Sequence, residues 1–241
     1  MASVLDEKGY NQSFVKTKTT EIRLNRRFDY MINHMLDSKG KDGINILEIG
    51  CAEGYGLNYL INKTNFNGIG IDISIKFIKI AKESNKFKNV TYEVVDFNDE
   101  KTFTGEMKYN NFNYIIGNGI LHHLYNNLDN TIDNLYKLLK INGKIIFIEP
   151  NIYNPYITLI FKVPFIRKFA NLEPDEMAFS KNYIKDKIIN SGFVYCKIEH
   201  KDFLIPIIPS FLTSLVIKIG AILEKTSFKY FSQSIFIVAQ K

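Results

Sequence analysis

The feature that most constrains this chain is a repeated change of hydrophobic period between residues 44 and 149. Short apolar runs read as strands: "INILEI" (44–49), "GIGIDI" (68–73), "VTYEVV" (90–95), "FNYIIGN" (112–118) and "GKIIFIE" (143–149). Between them lie stretches with helical spacing: "GLNYLIN" (56–62), "SIKFIKIAKES" (74–84, with Ser74 as its cap) and "LDNTIDNLYKLLK" (128–140). Each helix supplies the long crossover that parallel strands need. The alternation therefore predicts a parallel sheet with helices on both faces. Strands covered on both faces have no solvent side, which agrees with their near-continuous apolarity.

The flanks read differently. A helix is expected over 19–37, with Ile22, Phe28, Met31, Ile32 and Met35 as its apolar stripe, ended by "SKGKDG". A helix over 182–193, ended by Gly192, precedes strand-like 194–200, and 232–241 is strand-like too. Two other segments are strongly apolar, 153–169 and 203–223, the second with Lys218 as its one charge. A membrane span needs ~20 apolar residues. Pro206 and Pro209 interrupt 203–223, however, and a span would part the last strand from its sheet. A helix over about 209–225, covering the active site, is the better expectation. Both segments suit a hydrophobic lid, an interfacial membrane element, or core and dimer surface.

The length of 241 residues and 46% hydrophobic content support one domain with a sizeable core. The expected division is an N-terminal helical cap (1–40), a cofactor-binding core (41–150), and substrate-side insertions or lid (151–180 and 203–232). The net charge of +6 is scattered, without a basic arm or stripe, so nucleic acid is not an expected partner. Two distant cysteines, Cys51 and Cys196, make neither a disulfide framework nor a zinc spacing. No metal-ligand set is legible. The start of the chain carries no secretory signal, and a cytoplasmic location is expected, with contact at the inner membrane face left open.

Chemistry concentrates after the first strand. In "LEIGCAEGYG", Glu48 precedes Gly50, Cys51, Ala52, Gly54 and Gly56. Glycines there admit positive φ and let backbone N–H groups approach a ligand at a helix N-terminus. An acid on the strand would repel a pyrophosphate but suits a cationic ligand. Asp72 ends the second strand, where a carboxylate can accept from a ribose diol, and Asp96 ends the third. Each has a plainer use, as a tight turn or a cap. Three acids at successive strand ends nevertheless mark the sheet edge where ligands bind in open α/β folds.

These residues resemble the class I S-adenosylmethionine-dependent methyltransferases over about residues 44–150. "LEIGCAEG" looks like that family's first motif, "GIGIDIS" its second, "VVDFND" its third and "FNYIIGNGILHHL" its fourth. The resemblance implies a Rossmann-like, seven-stranded, mostly parallel α/β sheet with helices on both faces. A final antiparallel strand would come from 234–239, with apolar helical insertions. It also implies S-adenosylmethionine as cofactor. Glu48 and the backbone of Gly50, Cys51, Ala52 and Gly54 would hold the methionine part. Asp72 would take the ribose with Ile73 on the adenine, and Asp96 the adenine amino group with Phe97 beside it. Gly117 and Asn118 would lie near the reacting methyl. Ala52 replaces a usual glycine, which is tolerable at negative φ, and Asn113 stands where Asp is common.

Methyl transfer mainly requires alignment and, for many acceptors, removal of a proton. His123, and after it His122, are the candidate bases; Glu149 is expected at the pocket edge. Glu173, Asp175 and Glu176 could orient an acceptor amine or hydroxyl, but read first as a helix-start cluster around Ser180. The expected acceptor is a small, apolar or amphipathic molecule such as a quinone, isoprenoid, lipid or secondary metabolite, methylated first of all on oxygen, with carbon and nitrogen as the other acceptor atoms. An RNA or protein methyltransferase and a non-catalytic cofactor-binding partner are the alternatives. A membrane surface contact and a homodimer remain open.

Overall fold

The computed structural model describes residues 17–38, 40–99, 101, 103, 107–169, 172 and 176–241, the side chain of Phe169 excepted. Its seven strands form one sheet in the order β3-β2-β1-β4-β5-β7-β6. They are β1 (Asn45–Ile49), β2 (Asn67–Asp72), β3 (Val90–Val94), β4 (Phe112–Asn118), β5 (Leu139–Pro150), β6 (Tyr195–Lys201) and β7 (Ser234–Gln240). The first five pair in parallel. β7 inserts antiparallel between β5 and β6, so the last strand in sequence is an interior strand of the sheet.

The helices are α1 (Lys18–Asn33), α2 (Tyr55–Thr64), α3 (Ile75–Ser84), α4 (Leu128–Leu138), α5 (Pro155–Lys162), α6 (Pro164–Phe169), α7 (Lys181–Asn190) and α8 (Thr213–Leu223). Several start on the side chains that sequence rules favour. Thr17 caps α1, Ser74 caps α3, and Ser180 caps α7, each accepting a backbone N–H of the first turn. Pro155 and Pro164 each open a helix, splitting 153–169 into α5 and α6.

Several boundaries differ from expectation: α1 ends at Asn33, short of 37, and α7 ends at Asn190, short of 193. β5 begins at Leu139, not 143, because Leu139 pairs with Phe112 across a register shift before the regular ladder resumes at Lys144. The 209–225 helix begins only at Thr213, after a single 3-10 turn over Ser210–Leu212.

Strand alternation divides the core into two layers. Leu47, Ile49, Ile115 and Phe147 face one layer with α4 and α7 residues such as Leu135 and Ile188. Ile46, Tyr114, Ile116 and Ile148 face the other, beneath Phe28 and Met31 of α1 and Leu57 of α2. The period of two therefore puts Glu48 and Asn118 on the α1 side, at the C-terminal reach of adjacent strands. No described helix is long and apolar enough to cross a membrane.

Candidate active site

A cavity of about 190 Å³ lies between α1, the glycine loop and the ends of β1 and β4. Glu48, Gly50, Cys51, Ala52 and Asn118 line it, and Thr20, Leu24 and Phe28 of α1 form its roof. The glycines make this proximity feasible. Gly50 and Gly54 have φ of +66° and +77°, where L side chains are strained. A Cβ on Gly56 would lie 1.9 Å from the Phe28 ring, so glycine is what lets the roof descend onto the first turn of α2.

Ala52 departs from expectation, with φ of +46° rather than a negative value. The turn is held there by its own N–H, which donates to Asp72 Oδ2 at 2.9 Å. Asp72 Oδ1 accepts from Ser74 N at 2.9 Å. Asp72 thus ties the glycine loop to the end of β2, and a carboxylate with two backbone donors still has lone pairs for a hydroxyl.

Glu48 is 3% exposed, and its Oε2 has no hydrogen-bond partner among the described residues. Burial pushes its carboxyl up to about 8; the Leu57 backbone N–H opposes the rise and nearby Asp72 adds to it. A buried, unpartnered carboxylate oxygen at a cavity wall is costly unless a cation or donor meets it. Cys51 is buried beside it, and desolvation raises its thiol well above the ordinary range.

Asn118 is held from above. Its Oδ1 accepts from Arg27 Nη1 at 2.8 Å. The same guanidinium donates through Nε (3.0 Å) and Nη2 (2.8 Å) to Asp202 Oδ2, and Nη2 also donates to Ser234 Oγ at 2.7 Å. Arg27 was not singled out from the sequence. The available signal was an arginine at helical spacing with Met31 on the apolar side of α1.

The other expected residues lie outside the cavity lining. Ile73 is 39% exposed and free to meet a flat ligand, whereas Phe97 is buried against Phe103, with ring centroids 5.3 Å apart. The Phe97 ring is a core element in this structure. Asp96 is exposed and accepts from Asn98 N at 2.9 Å. A Cβ on Gly117 would meet Phe147 and Ile120 within 2.6 Å, so glycine there serves packing.

The histidines follow β4 in a 3-10 helix over Leu121–Asn127. Their rings lie 4.1 Å apart, and each faces a buried carboxylate. His122 Nδ1 is 2.8 Å from Glu149 Oε2, and His123 Nδ1 is 3.0 Å from Glu176 Oε1. Two sequence expectations are corrected here. Glu149 is not at a pocket edge: it is 1% exposed and accepts the backbone N–H groups of Ile120, Leu121 and His122. Glu176 is not part of a helix-start cluster: it is 2% exposed and turned to His123, its backbone carbonyl held by Arg167 Nη2 at 2.9 Å. Glu173 and Asp175 lie outside the described residues. His122, His123 and Glu176 also each bring one ligand-type atom within 4.8 Å of the others, a grouping that no local spacing announced.

A methyltransferase domain model matches residues 40–195. The chain is similar to an S-adenosylmethionine-dependent methyltransferase from Archaeoglobus fulgidus (17% identity, TM-score 0.62, covering 90% of this chain and 94% of that one). It is also similar to the CurJ carbon methyltransferase (19%, TM-score 0.64, 95% of this chain and 56% of that one). Among curated proteins, a probable polyketide synthase 10 of Dictyostelium discoideum is 36% identical over 104 residues, 39% of this chain and 4% of that protein's length. This chain belongs to the methyltransferase domain family, and its fold is that of solved S-adenosylmethionine-dependent methyltransferases. The residues present fit S-adenosylmethionine: an orphaned buried carboxylate oxygen for its ammonium, beside a left-handed glycine loop that exposes backbone.

Proposed function

We propose that the chain methylates a small, apolar or amphipathic molecule, first of all on oxygen, with His123 as the base. S-adenosylmethionine supplies an electrophilic methyl group. The chain's own part is to hold that donor through Glu48, the glycine loop and Asn118, to align the acceptor, and to take its proton. The observation that carries this reading is the His123–Glu176 pair at 3.0 Å. A buried carboxylate on Nδ1 fixes an imidazole's orientation and stabilises its cation, which suits a proton acceptor. Exposed apolar side chains on the same sheet edge support an apolar acceptor. Phe165 and Tyr156 follow β5, and Phe211, Leu215 and Ile219 precede β7. The polyketide synthase relative and the carbon methyltransferase favour a second reading, an acidic carbon of a polyketide-like acceptor.

The test is S-adenosylhomocysteine release by the whole chain with panels of apolar hydroxylated and β-dicarbonyl compounds. Wild type turns over. His123→Ala loses about 10²–10³-fold in kcat while its calorimetric affinity for the cofactor is unchanged. Equal loss of cofactor affinity would make His123 a binding residue. Cofactor binding without turnover on any acceptor, RNA and protein included, would leave the non-catalytic reading.

A further inference from the structure

A second concavity, roughly 800 Å³, opens on the β6 flank of the sheet and shares no lining residue with the Glu48 cavity. It is formed where the first turn of α7, the end of β6 and the 3-10 turn over Ser227–Phe231 meet. We infer that this concavity is a binding site for a phosphomonoester, with Lys181, Lys229 and His200 on the phosphate and Tyr153 and Tyr230 along its apolar body.

The argument starts from His200. It is 6% exposed, and its Nδ1 has no hydrogen-bond partner among the described residues. The ring is fixed by Tyr230, edge-on at 5.1 Å, and flanked by Tyr153 at 6.3 Å. A buried ring nitrogen without a partner is a cost that a ligand can remove.

The charge around it has a definite sign. The two acids of the lining are already engaged. Glu199 accepts from Tyr30 at 2.8 Å and pairs with Lys197 at 3.1 Å. Glu224 accepts from the Asp202 backbone at 2.9 Å and pairs with Lys201 at 3.5 Å. Lys181 and Lys229 are half-buried with no ion-pair partner among the described residues, and both act on the His200 ring from opposite elements. Burial, with both lysines adding to it, holds that imidazole below its usual range. Lys181 and Asn182 also bring the first turn of α7, a favourable end for an anion.

The wall is rigid. Asn151 donates to the Tyr230 and Ser232 carbonyls at 3.0 and 2.8 Å, and Asn154 to the Phe231 carbonyl at 2.6 Å, fastening the turn to the end of β5. Two lysines and an imidazole around one compact group suit a dianion, and half-exposed tyrosines suit an apolar body joined to it.

The site stands independently of the methyl-transfer reading. The experiment titrates the folded chain with phenyl phosphate, inorganic phosphate and vesicles containing phosphatidate, by calorimetry and phosphorus NMR. Wild type, Lys181→Ala/Lys229→Ala and His200→Phe are compared, with circular dichroism to confirm folding. Saturable binding of phenyl phosphate, weakened about tenfold or more in both variants, supports the site with a soluble ester. Vesicle binding lost in the double variant, without phenyl phosphate binding, supports it with a lipid headgroup as the source. Absence of both, or binding that neither variant changes, overturns it.

Discussion

Glu48 and Glu149 occupy the same position in their strands, each the penultimate residue, and both are buried. Their surroundings are opposite. Glu149 accepts three backbone N–H groups and faces an imidazole. Glu48 leaves one oxygen without a partner at a cavity wall. A buried carboxylate satisfied from within braces the loop that follows β4. A buried carboxylate left unsatisfied is kept for something from outside, and the apo fold bears the cost.

The contrast can be broken most directly at Glu149. Glu149→Ala would strand three buried N–H groups and His122, and is expected to cost about 3 kcal/mol, a fall in Tm of roughly 10 °C by calorimetry. A loss near zero would show that the loop is braced elsewhere.

Glu48→Gln should do nearly the reverse. Cofactor affinity falls about 100-fold by titration, since the charge that meets the ammonium is gone. The apo protein meanwhile gains stability at high pH. The carboxyl titrates near 8 when folded, so between about 5 and 8 the native state holds a proton that the unfolded chain has released. Wild-type stability therefore declines across that window as pH rises, and the glutamine variant lacks that share of the slope in pH-dependent denaturation. Equal slopes in both proteins would place Glu48 in a better-solvated setting than the structure gives it.

The smallest effect sharpens the loop between these acids. Ala52→Gly removes a left-handed alanine at +46°, offset in part by the added freedom of the unfolded chain. A net gain of about 0.5–1 kcal/mol in urea unfolding is expected. Destabilisation would mean that the alanine methyl packs usefully in the cavity wall.

What the sequence made legible was local. The strand–helix alternation, the glycine loop and the acids at strand ends are read within a few residues of one another, and the sheet follows from them. The Glu48–Asn118 pairing on one face was implicit in the period of two. The roof above it was not, because that depends on Phe28 meeting Gly56. Long-range partners left no trace in spacing: Glu176 lies far from His123 in sequence, and Asp202 far from Arg27. Phe97 shows the converse limit, since an aromatic after a strand-end acid reads equally as a ligand platform or as core, and burial decided for core.

The interior place of β7 has a consequence for how this protein comes into being. Among the described residues, β6 has no hydrogen-bonded neighbour in the sheet other than β7, and β5 has only β7 on that side. During vectorial synthesis the sheet therefore stays open along β5 until residues 234–240 have emerged from the ribosome. For that interval β5 presents an apolar edge of the kind that templates unwanted pairing. Arg27 waits on the same event, because Ser234 completes the set of groups that holds it over Asn118. The Glu48 cavity, lined by residues of the first half of the chain, is finished by β7.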